Sequence, residues 1–137
     1  MTGMEEKGGI IARAEAQMEI AHYACTIRTG RHSLIVDEPK GTGGADAGPS
    51  PIALLLSSLG ACTAITLRMY ADRKHWPLAE INVALIYRLD GEMPRIERTI
   101  RLEGLDEEQC RRCLEIAEKT PVTRALKGGV AIETRLQ

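Results

Sequence analysis

The sequence predicts an α+β fold in the order β-β-(β)-α-β-β-α-α-β, and three observations carry that prediction. Apolar and β-branched residues alternate with polar ones over residues 10–36 and again over 81–103, the period of strands. Between these regions Gly48 to Leu67 runs 20 residues without a charge and is opened by Ser50-Pro51, a pair suited to start a helix. Beyond them, an acidic turn and then Pro121 mark two further helix starts. The 137 residues hold 18 Lys+Arg against 19 Asp+Glu, with 44% hydrophobic and 27% charged residues, the composition of one soluble globular domain.

The elements follow in order. Residues 1–9 are polar and Gly-rich without a period and read as a disordered arm, which leaves 10–137 as the folded domain. Residues 10–36 form a loose β-meander, turned at Thr29-Gly30-Arg31-His32. Residues 37–51 are rich in Gly and Pro and make the longest loop, a length usual for functional or disordered segments. The loop carries neither a phosphate-loop nor a dinucleotide fingerprint, so no nucleotide or other cofactor is expected, and Asp37-Glu38 read as loop solvation.

The helix expected from Pro51 to about Lys74 has leucines and isoleucines on every side rather than along one stripe. More than half of its uncharged stretch is Gly, Pro, Ser, Thr or Ala, and the chain offers no second such span, so no membrane partner is expected. A short chain covers one or two sides of such a helix. The remaining side calls for a second copy, so an obligate homodimer is expected. Ile81–Asp90 and Arg95–Glu103 read as a strand pair around the turn Gly91–Pro94, with Ile96, Ile100 and Leu102 on one face of the second strand. Leu105–Lys119 follows as a helix capped by Asp106, then a short helix from Pro121 stopped at Gly128-Gly129, then a final strand over Val130–Leu136.

Balanced charge and only four aromatics, Tyr23, Tyr70, Trp76 and Tyr87, provide neither a basic patch nor a stacking surface, so no nucleic-acid partner is expected. The chain shows no secretory signal, and a cytoplasmic, reducing location is expected for its four cysteines. Cys62 lies mid-helix beside Gly60 and Ala61 and reads either as a packed small hydrophobe or as a site thiol. Cys110 and Cys113, three apart on one helix face with two arginines between them, read either as a redox pair or as solvated surface cysteines. Cys25 reads as strand packing. His22, His32 and His75 fall at no ligand spacing, so no metal is expected.

As a set, Asp37-Glu38-Pro39, Gly43-Gly44, Gly48-Pro49-Ser50-Pro51, the leucines 54–56 and Leu59-Gly60-Ala61-Cys62-Thr63 resemble the OsmC/Ohr family, osmotically inducible protein C and organic hydroperoxide resistance protein. The resemblance runs over roughly 10–137, through Tyr70-Ala71, Arg73-Lys74 and Pro121–Leu126, and points to a subgroup with G-P-S-P followed by L-G-A-C-T. It implies an intertwined homodimer, with a central helix from each chain wrapped by sheets built from both. It also implies thiol-dependent reduction of hydroperoxides. Cys62 would be the peroxidatic residue, aided by a nearby arginine for which Arg28 and Arg31 are the candidates, and an external thiol would be the reductant.

Two positions depart from the family pattern. The resolving cysteine expected just before Pro121-Val122 is Thr120, and the carboxylate expected after Pro51 falls at Ile52 or Ala53. Three readings follow. Cys62 acts with a small thiol, or with Cys110 or Cys113, as resolving partner; or the fold has lost peroxidase activity and binds a small apolar ligand in a dimer pocket; or Cys62 is packing alone.

Overall fold

The computed structural model describes residues 9–20 and 22–137, so the expected arm lies, Gly9 apart, outside the described residues. The chain divides into two compact units, one ending at Leu54 and the other beginning at Leu55. Three strands, β1 (Glu15–Gln17), β2 (Cys25–Thr29) and β3 (His32–Val36), form an antiparallel meander in the first unit. Thr29 pairs with His32, which leaves Gly30-Arg31 as a two-residue turn, and Gly30 takes the positive φ (58°) that such a turn asks for.

The Gly- and Pro-rich loop after β3 is closed on one side chain. Asp37 is buried, and its carboxylate accepts four backbone N–H groups: Oδ1 from Tyr23 (3.2 Å) and Glu38 (2.7 Å), Oδ2 from Ala45 (3.2 Å) and Ala47 (3.1 Å). The Asp37 amide in turn donates to the Pro49 carbonyl at 3.1 Å. Gly48 has to be glycine for this closure, since a Cβ there would stand 2.0 Å from the Ile35 carbonyl oxygen. The reading of Asp37 as loop solvation is therefore corrected: a carboxylate is the only side chain with enough lone pairs to satisfy four converging amides.

Helix α1 (Pro51–Lys74) begins as expected, with Ser50 Oγ accepting from the Ala53 amide at 3.1 Å, and crosses from the first unit into the second. It is long and apolar enough to cross a membrane by length and composition. Its buried residues Leu59, Gly60, Thr63, Leu67 and Ala71 form one stripe. At 100° per residue, Ile65 and Met69 stand on the opposite side, 54% and 60% exposed.

In the second unit β4 (Glu80–Arg88) pairs antiparallel with β5 (Arg95–Glu103). Like charges meet at both ends of this ladder, and each meeting is neutralised from a neighbouring position. Arg88 opposite Arg95 is met by Glu97 and Asp90, and Glu80 opposite Glu103 by Arg101. Helix α2 (Glu107–Ala117) starts on a reciprocal cap, Gln109 N–H to Asp106 Oδ1 (2.8 Å) and Asp106 N–H to Gln109 Oε1 (3.0 Å). Helix α3 (Pro121–Gly128) follows, and Gly129 ends it with a φ of 76°.

One expected element is missing. Residues 130–136 form no strand among the described residues, and Val130 and Ile132 are 69% and 87% exposed. Alternating apolar residues give a strand only where a neighbouring chain segment supplies the hydrogen-bond ladder, and no described strand does so.

The Asp37 cluster has a pH signature. The backbone amides, that of Ala47 foremost, hold its carboxyl below the ordinary carboxylate value against the opposing effect of burial. A depressed folded pKa adds stability that is present above the unfolded value and is lost as pH falls through the folded one. Asp37→Asn, which turns an NH2 toward donors, is expected to lower the melting temperature at pH 7, with the gap to wild type narrowing below about pH 4. Thermal circular dichroism from pH 7 to pH 2 checks this, and a gap independent of pH would refute it.

Candidate thiol site

Cys62 sits in the middle of α1, partly buried, on the turn that also holds Leu59 and Thr63. Gly60 lets this turn approach the sheet: a Cβ there would stand 2.9 Å from Leu85 Cδ1 of β4. Thr63 is fully buried. Its hydroxyl donates to the Leu59 carbonyl at 2.7 Å, inside the helix, and accepts from Arg98 Nη1 at 2.9 Å.

Arg98 is the centre of the second unit. It comes from β5, on the strand face it shares with Ile96 and Ile100, and only 11% of its side chain is exposed. A guanidinium so far removed from water needs its donors filled. Nη1 donates to Thr63 Oγ1 and Thr123 Oγ1, both at 2.9 Å; Nη2 donates to the Ala117 carbonyl at 3.2 Å and to Glu118 Oε2 at 3.0 Å. The positive charge thus meets the carbonyl end of α2, where the helix dipole is negative, and one side chain ties together α1, β5, α2 and α3.

Thr120, at the position of the expected resolving cysteine, is fully buried and belongs to this network. Its hydroxyl caps α3, accepting from the Thr123 amide at 3.4 Å, and lies 2.6 Å from Thr123 Oγ1, which itself donates to the Ala117 carbonyl at 3.1 Å. The consistent assignment is a relay from Thr120 O–H to Thr123 O–H to the carbonyl, with Arg98 donating into its middle. A thiol would cap a helix poorly and accept weakly from the amide, so threonine at 120 serves the structure where cysteine would serve redox chemistry.

Arg28 lies in β2 of the first unit, mostly exposed, paired with Glu15 (3.7 Å) and donating to Gln17 Oε1 (3.3 Å). Arg31 is exposed in the hairpin turn. The first turn of α1 holds no acidic residue. Cys110 is partly buried and Cys113 fully buried, which removes the surface alternative for Cys113: the amphipathic α2 turns it, with Ala117, into the core. Burial, and after it the neighbouring Cys110, pushes the Cys113 thiol above its usual range, the wrong direction for a nucleophile. Among the described residues no group of three His, Cys, Asp or Glu stands together as a metal site.

A family profile described as OsmC-like protein matches residues 42–135. No curated protein matches the chain. Among solved structures, an OsmC-like protein of Mycoplasma pneumoniae superposes with a TM-score of 0.66 at 21% identity, covering 87% of this chain and 89% of the other. An organic hydroperoxide resistance protein of Elizabethkingia anophelis gives 0.67 at 19% identity, over 87% and 89% of the two chains. An organic hydroperoxide resistance protein OsmC of Legionella pneumophila gives 0.63 at 18% identity, over 87% and 90%. The mixed architecture of three helices and two small antiparallel sheets among the described residues matches OsmC-like folds. The chain belongs to the OsmC-like protein family.

Sequence reasoning missed Arg98, Thr123 and Glu118. A signal for the first was present: in RIERTIRLE, Arg98 is the one charged residue in register with Ile96, Ile100 and Leu102. Removing the Thr120 cap tests the network. Thr120→Ala is expected to cost about 1–2 kcal/mol in urea unfolding and Thr120→Ser much less. Equal losses would mean that the methyl group, not the hydroxyl, matters at this position.

Proposed function

We propose that this protein reduces organic hydroperoxides through Cys62. The observation that carries the reading is the placement of that thiol. Gly60 and Thr63 on either side are buried and fixed, while Cys62 stands partly exposed between the buried stripe of α1 and the apolar face of Ile65 and Met69. An apolar approach favours an organic peroxide over a strongly hydrated one. Family membership and the hydroperoxide-resistance proteins of like fold support the same chemistry.

The Cys62 thiolate attacks the distal peroxide oxygen, the O–O bond breaks, and the alkoxide takes a proton to leave as an alcohol, with Cys62 oxidised to the sulfenic acid. Thr120 offers no thiol for the next step, and Cys113 is buried, with burial pushing its thiol above the usual range. An external thiol therefore condenses with the sulfenic acid, releasing water, and a second external thiol reduces the mixed disulfide. One hydroperoxide and two thiols become one alcohol, one water and one disulfide.

The working unit in this reading is a homodimer. Ile65 and Met69 form part of an apolar groove with Ala64, Ala79 and Ile81, a surface that a second copy of α1 would cover. The unpaired alternation at 130–136 supports sheets built from both chains. Ile65→Asp is expected to shift the sedimentation mass from two chains to one; a dimer that persists refutes this face as the interface.

The absence of a resolving thiol also favours a second reading, a family member that has lost peroxidase chemistry and binds an apolar ligand. One equivalent of cumene hydroperoxide followed by dimedone separates the two. Labelled Cys62, with peroxide consumption in Cys62→Ser falling to that of the added thiol alone, is the expected result. Unlabelled Cys62 in folded, reduced protein leaves the second reading.

A further inference from the structure

The second unit holds a pocket of about 560 Å3 that the thiol chemistry does not use, since Cys62 is not among its lining residues. Part of its lining is apolar, Leu55 and Leu59 of α1, Ile96 of β5 and Leu126 of α3, with Tyr87 beside them. Arg95, Arg98, Glu118 and Lys127 also line it. Arg95 is already matched, by Asp90 at 2.6 Å and Glu97 at 3.2 Å. Arg98 and Lys127 share one carboxylate, that of Glu118, whose Oε2 takes Arg98 Nη2 and whose Oε1 takes Lys127 Nζ. Two cations thus share one carboxylate among the lining residues, a net positive charge that the carbonyl end of α2 offsets in part.

We propose that this pocket binds a small amphipathic carboxylate, its aliphatic part against the leucine walls and its carboxylate on Arg98 and Lys127 in place of Glu118. Volume and lining suit an organic ligand, since pockets of this size with apolar walls and a few convergent polar groups are those that take small molecules. A bare inorganic anion would leave the walls wet. Glu118 already shows what the cations accept: a carboxylate held by both, with its carboxyl kept below the ordinary range first by Lys127 and also by Arg98. Its side chain is about half exposed, so it can swing into water and yield its place, whereas Arg98 is anchored by Thr63, Thr123 and Ala117 and stays. The inference stands apart from the Cys62 reading, and reduced protein without peroxide serves to test it.

Isothermal titration calorimetry of the full chain at pH 7 with octanoate, 1-octanol and inorganic phosphate provides the test. Octanoate is expected to bind, with 1-octanol and phosphate each at least about tenfold weaker. Lys127→Ala is expected to weaken octanoate about tenfold and Glu118→Gln, which removes the competing carboxylate, to tighten it by a similar factor. Both substitutions are at exposed side chains, and circular dichroism verifies the fold. The proposal is overturned if neither wild type nor Glu118→Gln binds octanoate, if 1-octanol or phosphate binds as well, if neither substitution changes the affinity, or if Glu118→Gln weakens it.

Discussion

A guanidinium almost removed from water has to be met by acceptors, and the second unit is arranged around that requirement. Arg98 draws on a side chain of the central helix, a side chain of the last helix, the terminal carbonyl of the helix between them and a carboxylate beyond it. Each partner fixes a different element against β5. Breaking such a cluster by removing one member strands the others without water, which is why buried polar networks constrain a fold more tightly than their net energy suggests. The threonine at 120 follows from the same requirement, since the relay through Thr123 needs a hydroxyl at the cap.

The reactive candidate and the network are adjacent without being joined. Arg98 holds Thr63, the residue after Cys62, and so fixes the turn of α1 on which the thiol sits. The helix buries one stripe in its own chain and leaves Ile65 and Met69 on the other, a distribution that a solitary soluble chain would find costly to keep in water.

The first unit solves a related problem with the opposite charge. Four amides of the loop and the segment before β2 converge on Asp37, and the carboxylate gives this glycine-rich stretch the order that its composition withholds. A long loop closed on a buried acid is a defined structure, and it delivers the chain to Ser50 at the start of α1.

Local features of this chain were legible in its sequence because their causes are local. Ser50, Asp106 and Pro121 mark helix starts within one turn of themselves, alternation places Arg95–Glu103 to the residue, and the family motif around Cys62 lies within a few residues. What depended on residues distant in sequence was decided only by the tertiary structure. Asp37 reads as loop solvation from its sequence neighbours, whereas amides ten and fourteen residues away converge on it, and only the packing of α2 turns Cys113 into the core. Residues 130–136 have the pattern of a strand and no ladder to join, and Arg98 became a centre only when threonines 35 and 25 residues away met it. Periodicity and capping are properties of a segment, whereas burial and hydrogen-bond satisfaction are properties of its surroundings. The sequence alone thus determined the elements as far as Gly129 and the family resemblance, and the packing of those elements decided which polar groups would have to find one another.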